Sequence, residues 1–341
     1  MLTLEFTKNL EGRKNLLGFS GGVDSVGLFH ALRARGIGFD IAIVDYGVRM
    51  SAKDEVAYAQ ALADEHKKQC FIYHAPKILK NFEAKARAIR YGFFEEIIAS
   101  KGYANLILAH HLNDRFEWLL MQLSKGSSLG TLLGFDGIED RRGYQIIRPL
   151  INVPKSLIYE YCNAYEFYED TTNTDTSYKR NAFRQKYANE FIKEYSAGVR
   201  RSFQYLSEEK SLLYPKTALM QLGSIYYFAH NGDNNDTLSL YRVDKILKQM
   251  GYVLSAPQRQ EILKSRFSLE IAQQYTITKG KKHIFIARNC KHLSLCLPKR
   301  FKNIARSLYL PPKIRPFVYG VLLEMGLGID AMAEYLRAKD L

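Results

Sequence analysis

The stretch from Leu16 to Ser25 constrains the fold more than any other part of this 341-residue chain. It begins with a short apolar run that ends at Phe19, continues through a serine and two glycines, and leads into an apolar helical pattern. Consecutive glycines let backbone N–H groups approach an anion closely, and a helix N-terminus adds a partial positive charge. The spacing matches neither a dinucleotide-binding G-x-G-x-x-G motif nor a Walker loop. The segment therefore predicts a strand, a phosphate-binding turn and a helix; the alternative is an ordinary Gly-Gly turn.

Strand-like and helix-like segments alternate from this point to residue 109. The predicted strands are 16–19, 40–45, 69–74 and 104–109, and the predicted helices are 24–35, 53–67 and 82–100. Such alternation predicts an α/β fold with a doubly wound parallel sheet. Ligands bind these sheets at the carboxyl ends of the strands, where we expect Ser20, Asp45 and His110 to lie.

A second cluster of polar residues follows the fourth predicted strand, from His110 to Glu117. We expect a helix here with Asn113 as its N-cap, which places Asp114 and Glu117 three residues apart on one face. Polar side chains would then converge beside the phosphate loop. Without the first motif, packing and capping roles for the two adjacent histidines would be the simpler interpretation.

Charge divides the chain into two parts. The net charge is +14, and residues 201–341 carry 22 Lys+Arg against 11 Asp+Glu. A basic region beside a nearly neutral one indicates a polyanionic partner, most simply nucleic acid, although a solubilising surface is the alternative. We predict a catalytic domain over 1–200, a mostly helical nucleic-acid-binding domain over 201–298 and a short C-terminal region over 299–341. The middle region should contain one hairpin, with its turn at Lys279–Lys282.

The cysteines and the apolar segments indicate the compartment. Cys70, Cys162, Cys290 and Cys296 are scattered without a C-x-x-C pair, which is typical of reduced thiols in a cytoplasmic protein. The first 15 residues contain no signal-peptide pattern, and the late apolar stretch is interrupted by Glu324. We therefore expect a cytoplasmic protein with no membrane association.

Two levels of resemblance follow from the motifs. Ser-Gly-Gly-Val-Asp-Ser at 20–25 resembles the signature of the PP-loop ATP pyrophosphatases, which cleave ATP between the α and β phosphates and leave AMP on a substrate oxygen. Further segments resemble the tRNA(Ile)-lysidine synthetase family. These segments are Val-Asp-Tyr-Gly-Val-Arg (44–49), the Arg-x-x-Arg-Tyr helix (87–91), Ala-His-His-x-x-Asp-x-x-Glu (109–117), Arg-Pro-Leu (148–150) and the Asp-Thr-Thr-Asn…Arg-Asn-x-x-Arg region (170–184). The chain departs from that family at Asn113, Arg115 and Trp118, where Asp, Gln and Thr are usual.

The resemblance implies that ATP, with Mg²⁺, adenylates the wobble cytidine of an isoleucine tRNA with a CAU anticodon, after which L-lysine displaces AMP. The implied ATP-binding residues are Ser20, Gly21, Gly22, Val23, Asp24, Ser25 and Asp45, with Asp24 also holding the metal. Implied tRNA-binding residues are Arg49, Arg87, Arg90, Arg180, Asn181 and Arg184. His110 and His111 would position the base, and Asp114 and Glu117 would orient and deprotonate the lysine ammonium. A homodimer is a possible assembly.

Three other functions stay open at this point. A sulfur-transferring PP-loop enzyme would activate a tRNA base in the same way but needs a nucleophilic cysteine, usually paired. A small-molecule ligase of the same fold would lack the basic C-terminal part. A non-catalytic tRNA-binding protein would retain the loop without the chemistry.

Overall fold

The computed structural model describes residues 2–47, 52–141, 143–169, 179–215, 219–230, 235–290 and 294–339. Two of the predicted features, Arg49 and the segment 170–178, lie outside the described residues. The chain divides into two compact units, Met1–Glu208 and Glu209–Leu341.

A six-stranded sheet forms the centre of the first unit. Its strands are β1 (Asn15–Gly18), β2 (Asp40–Asp45), β3 (Cys70–His74), β4 (Asn105–Ile107), β5 (Ile138–Arg141) and β6 (Tyr144–Ile147). In space they follow the order β3-β2-β1-β4-β6-β5, all parallel except β5, which is antiparallel to β6. Because β2 and β4 flank β1, the strand order reverses at β1, and this switch point is where such sheets bind ligands. The predicted doubly wound sheet is therefore confirmed, and it contains two strands that were not predicted, the parallel β6 and the antiparallel edge strand β5.

Helices cover both faces of this sheet. They are α1 (Val23–Arg33), α2 (Ala52–Glu65), α3 (Phe82–Lys101), α4 (Leu112–Leu123), the short α5 (Leu129–Leu132), α6 (Lys155–Cys162), α7 (Lys179–Phe183) and α8 (Asn189–Leu213). The predicted domain limit after residue 200 falls inside α8. One face of the sheet packs on α1, whose Val26, Leu28 and Phe29 are fully buried. The other face packs on α3 through Phe94 and Ile97.

The expected N-cap at Asn113 is wrong. Helix α4 begins at Leu112, and His111 is its N-cap residue. The side-chain oxygen of Asn113 instead accepts a hydrogen bond from the backbone N–H of Lys155, the first residue of α6, at 3.0 Å. Asn113 thus caps a neighbouring helix, a tertiary contact that local spacing does not reveal.

The second unit is built on a five-stranded antiparallel sheet. Its strands are β7 (Met220–Leu222), β8 (Ile225–Ala229), β9 (Leu269–Ile271), β10 (Tyr275–Lys279) and β11 (His283–Arg288), in the spatial order β7-β8-β11-β10-β9. The helices are α9 (Asp236–Gln249), α10 (Ala256–Lys264), α11 (Lys299–Ser307), α12 (Arg315–Glu324) and α13 (Ile329–Ala338). The predicted hairpin is present as β10 and β11, at the centre of a sheet rather than alone.

Side chains alternate between two cores on this sheet. Tyr227 and Phe285 pack with α11, α12 and α13, whereas Phe228 and Ile286 pack with α9 and α10. Residues 299–339, expected as a short separate region, thus share a core with the sheet. Among the described residues no single helix is long and apolar enough to cross a membrane, although Pro312–Glu324 and Ile329–Ala338, bent by 108°, have that length and composition together.

Candidate functional site

The phosphate loop connects β1 to α1 at the switch point. Gly21 has φ +73°, a left-handed conformation that side chains disfavour, and its carbonyl accepts the backbone N–H of Tyr168 at 2.9 Å. The Ser25 hydroxyl donates to the Gly22 carbonyl at 3.0 Å and accepts the backbone N–H of Ser20 at 3.2 Å. These bonds hold the loop in shape, and the first-turn N–H groups of α1 have no intrahelical acceptors. The predicted strand, turn and helix are therefore present, and the first-turn N–H groups of α1 are free of intrahelical bonds, as a phosphate-binding turn requires.

Asp24, in the first turn of α1, faces the end of β4 and the start of α6. Its Oδ1 lies 3.5 Å from His111 Nε2, and its Oδ2 lies 3.6 Å from Lys155 Nζ. His111 Nε2 is also 3.5 Å from Asp114 Oδ2, which accepts the backbone N–H of His111 at 3.1 Å. The structure thus brings the phosphate loop and the histidine segment, separated by more than 80 residues in sequence, into one site.

The site continues from Asp114 to Arg180 and Arg184. Arg180 donates to Asp114 at 2.7 Å and to Glu117 at 3.1 Å. Arg184 donates to both oxygens of Glu117, at 2.7 and 3.2 Å. The Glu117 side chain is only 1% exposed, whereas that of Arg180 is 41% exposed. We call the connected set of Lys155, Asp24, His111, Asp114, Arg180, Glu117 and Arg184 the polar chain.

The ionisation states in the polar chain follow from these neighbours. Burial opposes charge on Asp114, but the adjacent His111 and Arg180 outweigh it and hold the pKa of Asp114 well below its usual range. Burial likewise opposes charge on Asp24, yet His111 and Lys155 keep its pKa lowered. Burial disfavours protonated His111, but Asp114 and Asp24 raise its pKa above the ordinary value. The two carboxylates therefore favour the protonated form of the imidazole that lies between them.

His110 is held in the opposite state. Arg148, almost fully buried, donates from Nε to His110 Nδ1 at 3.3 Å. Because a guanidinium can only donate, Nδ1 must be unprotonated, and the neutral ring carries its proton on Nε2. Burial and the charges of Arg148, Arg90 and Arg87 lower the pKa of His110 to about 3. His110 is thus a fixed hydrogen-bond donor, unsuited to proton transfer near neutral pH.

The remaining predicted residues lie in several environments. Asp45 ends β2, where it accepts the backbone N–H of Gly47 at 2.7 Å and faces His74 at 3.1 Å. Arg87 lies over the Tyr91 ring at 4.7 Å, and Nε of Arg90 is buried and has no hydrogen-bond partner within the part of the chain that the structure describes. Val23 is buried at the start of α1 and Asn181 is half-buried in α7.

Sequence reasoning missed Lys155 and Arg148 as site residues. A lysine in the first turn of a helix opposes the helix dipole, which signals a nearby anion such as Asp24. An arginine directly after the apolar strand β6 signals a buried charge with partners, and Arg148 indeed bonds Glu139 at 3.0 Å as well as His110. Both signals are visible in the sequence.

The expected role of Glu117 as a base for lysine does not fit this geometry. Both of its oxygens are occupied by guanidinium groups, and water has almost no access to it. Glu117 fixes the positions of Arg180 and Arg184 instead. Asp114 is also engaged, but its partner Arg180 is partly exposed.

The donor atoms also fit a magnesium ion shared with a polyphosphate. Oδ1 of Asp24 is buried and makes no hydrogen bond among the described residues, with His111 Nε2 3.5 Å away. Among the residues that the structure describes, no group of three or more Asp, Glu, His or Cys side chains is arranged to hold a metal ion without other ligands. Mg²⁺ commonly takes one or two carboxylates and completes its shell with phosphates and water.

Comparisons with known proteins show what this chain is similar to. Residues 2–191 match the PP-loop domain family ATP_bind_3. The chain is 48% identical to the tRNA(Ile)-lysidine synthase of Helicobacter pylori strain 26695 over 92% of both chains. It is 42% identical to the enzyme of that name from Wolinella succinogenes, over 97% of this chain and 99% of the relative. The solved U34-tRNA thiolase NcsA of Methanococcus maripaludis is similar in fold, with a TM-score of 0.50 at 17% identity over 60% of this chain and 75% of that one.

Proposed function

This chain belongs to the tRNA(Ile)-lysidine synthase family of PP-loop proteins, and we propose that it ligates lysine to carbon 2 of the wobble cytidine in a CAU anticodon. In the first step the cytidine O2 attacks the α-phosphorus of ATP, and pyrophosphate leaves. In the second step the ε-amine of lysine attacks carbon 2, the C2–O2 bond breaks, and AMP leaves. The lysine ammonium loses one proton to solvent before it attacks, so the second step forms one C–N bond, breaks the C2–O2 bond and releases AMP and H⁺.

One observation carries this proposal: Asp24, on the phosphate loop, lies 3.5 Å from His111, at the start of the histidine segment. A nucleotide whose phosphates are bound by residues 20–25 would therefore have its α-phosphate close to polar side chains outside the loop. Adenylation of a nucleophile held by those side chains needs this proximity.

We assign ATP binding to the loop and to the end of β2. The N–H groups of Gly21, Gly22 and Val23 and the hydroxyls of Ser20 and Ser25 would donate to the pyrophosphate part. Asp45, at the neighbouring strand end, would border the adenosine. Asp24 would hold Mg²⁺, which neutralises charge on the leaving pyrophosphate. Lys155, 3.6 Å from Asp24, adds a second fixed positive charge at this point.

We assign the tRNA and lysine to the other end of the polar chain. Arg180, partly exposed, would exchange its bond with Asp114 for one with a tRNA phosphate, and Arg184 would stay fixed on Glu117. Asp114 would then face the lysine ammonium and lower the cost of bringing it to the adenylated base. His110, as a neutral donor, would bond an acceptor atom of the cytosine. Arg87 and Arg90 on α3 would contact the tRNA backbone.

Sulfur transfer fits the two cysteines of the PP-loop unit, Cys70 and Cys162, poorly. A nucleophilic cysteine needs a lowered pKa, whereas burial raises the pKa of Cys70 and of Cys162 to about 11. The Cys162 thiol donates to the Val23 carbonyl at 3.4 Å and packs behind α1. The likeness to a thiolase is therefore one of fold.

Pyrophosphate release tests the proposal. Wild-type protein incubated with ATP and tRNA(Ile) of CAU anticodon, without lysine, should release pyrophosphate and retain AMP on the tRNA. Asp24→Asn should abolish both while leaving tRNA affinity unchanged, because it removes the carboxylate that holds the metal. Wild-type turnover in Asp24→Asn would refute the metal assignment, and tRNA-independent AMP formation by the wild type would refute the ligase.

A further inference from the structure

Four aromatic residues follow one another at intervals of four along the helical segment that leaves the active site. We call Phe183, Tyr187, Phe191 and Tyr195 the aromatic ladder. The Phe183 and Tyr187 ring centroids are 5.6 Å apart, and those of Phe191 and Tyr195 are 5.0 Å apart. Tyr187 is 55% exposed and Tyr195 is 50% exposed. Large aromatic side chains left in water at this regular spacing indicate a contact surface.

The ladder is not part of the local core. The core under this segment is formed by Ala188, Ile192, Val199 and Phe203, at positions that alternate with the ladder along the helix. One ladder residue is anchored to the catalytic helix α4, because Phe191 stacks on the buried Phe116 with centroids 5.0 Å apart and planes at 19°. The ladder therefore has a fixed base and exposed rings.

A π-helical turn sets the direction of the rings. Residues Arg184–Ala188 form this turn, in which the backbone N–H of Asn189 donates to the carbonyl of Arg184, five residues earlier. In an α-helix a spacing of four residues advances by roughly 40° each time, so side chains drift around the axis. The wider turn offsets this drift between Phe183 and Phe191. π turns are rare, and they frequently occur at functional sites.

The charge around the ladder favours an anionic, base-bearing partner. Exposed cations flank it at Lys179, Lys186, Lys193 and Arg200, against the two exposed acids Glu190 and Glu194. The ladder begins at Phe183, next to Arg184, which bonds Glu117 in the polar chain. Aromatic rings interleaved with cations are the combination that binds unpaired nucleotides, by stacking bases and pairing phosphates.

We propose that the aromatic ladder stacks the unpaired anticodon-loop bases that neighbour the wobble cytidine. This inference rests on the proposed function, since it names the surface that holds the loop while one of its bases enters the site. Stacking depends on the π faces and tolerates any base, so the ladder would contribute affinity and register, while base identity is read elsewhere.

Substitutions of exposed tyrosines in the full-length protein test the inference. Tyr187→Ala and Tyr195→Ala should each weaken the binding of tRNA(Ile) by about 5- to 100-fold, the range for loss of one stacked base. Tyr187→Phe and Tyr195→Phe should bind within about twofold of wild type because the π face is retained, whereas Leu at either position should behave as Ala. Tyr205→Ala is the matched control: it removes a similarly exposed tyrosine, 59% exposed, from the part of α8 that lies beyond the kink at Tyr195, where φ is −117° and ψ is 19°.

Two further measurements separate stacking from other causes. The fluorescence of 2-aminopurine placed beside the wobble position should be quenched by wild type and by the Phe variants, and not by the Ala variants. The slope of affinity against salt should stay constant, because no phosphate contact is removed. Equal tRNA affinity of the wild type and the Ala variants would overturn the inference. Equal affinity of the Leu and Phe variants would also overturn it. So would a finding that the Ala variants bind tRNA more weakly only because they no longer self-associate. Failure of wild type to form lysidine, with tRNA binding intact, would instead refute the proposed function.

Discussion

Asp114→Asn separates the two chemical steps that we propose. In the wild type Asp114 accepts the backbone N–H of His111 at 3.1 Å and the Arg180 guanidinium at 2.7 Å. An asparagine has one acceptor oxygen, so its NH₂ group must face one of these two donors. The substitution also removes one of the two carboxylates that raise the pKa of His111.

The structural cost should be moderate. One buried donor left without an acceptor costs about 1–3 kcal/mol, since Arg180 keeps its bond with Glu117 at 3.1 Å. For a compact unit the size of Met1–Glu208, each kcal/mol lowers the Tm by roughly 2–4 °C. The Tm should therefore fall by about 2–12 °C, and the protein should remain folded at 25 °C.

The catalytic cost should fall on the second step alone. Without the anion, lysine addition should slow by about 10²–10⁴-fold, the usual range for loss of a group that assists proton transfer. Adenylation should continue, because Asp24 and the phosphate loop are unchanged. A single-turnover experiment with labelled ATP and tRNA should show normal pyrophosphate release, followed by accumulation of adenylated tRNA.

Asp140→Asn provides the control, since it removes an equal charge from the exposed edge strand β5 of the same unit. It should leave both steps unchanged. Wild-type lysidine formation by Asp114→Asn would refute the role of Asp114, and so would a block before pyrophosphate release.

Three other perturbations test separate parts of the account. His111→Gln should make the unfolding free energy depend less on pH above 6.5. The pKa of His111 is raised in the folded protein, so its protonated form stabilises the fold fully at a pH below the unfolded pKa. That stabilisation is lost as the pH rises through the folded pKa. Urea titrations at several pH values would measure this, and parallel curves of unfolding free energy against pH for the wild type and the variant would contradict it. Gly21→Ala and Gly36→Ala, at φ +73° and +68°, should each lower the free energy of unfolding by about 1–2 kcal/mol. Only Gly21→Ala should slow pyrophosphate release. Equal rates of pyrophosphate release in the two variants would argue against the loop as the phosphate site. The double variant Lys279→Gln, Lys281→Gln should have an unchanged circular dichroism spectrum. The slope of log affinity for tRNA against log salt concentration should become shallower by about 1–2. An unchanged slope would mean that these exposed charges serve solubility.

The first unit was largely predictable because its strands are buried on both faces. The predicted limits of β2, 40–45, coincide with the observed strand, since a continuous apolar run between polar residues marks a central parallel strand. The edge strand β5 was missed because its sequence, Ile-Glu-Asp-Arg, is mostly polar, as solvent-exposed edges are. Three-residue strands such as β7 and β9 in the second unit are too short to show a period.

The sequence allowed us to predict which residues lie near one another in the site, but not which of them form hydrogen bonds and ion pairs with each other. Spacing placed Asp114 and Glu117 on one face of a helix, but it gave no sign that Arg180 and Arg184 would cover them. Those contacts join residues more than 60 positions apart and depend on the packing of α7 on α4. The neutrality of His110 likewise depends on Arg148, which lies on a neighbouring strand end. Motifs therefore predicted which residues come together, and the tertiary structure determines the hydrogen-bond partners of Glu117 and His110.

Mass spectrometry of the modified nucleoside tests the central claim most directly. The wild-type protein should be incubated with ATP, tRNA(Ile) of CAU anticodon and lysine labelled with heavy isotopes, and the tRNA then digested to nucleosides. The account predicts loss of one cytidine per tRNA and the appearance of a cytidine–lysine adduct that carries the full isotope label, with one AMP formed for each adduct. An unmodified cytidine, or a nucleoside that has gained sulfur in place of labelled lysine, would contradict it.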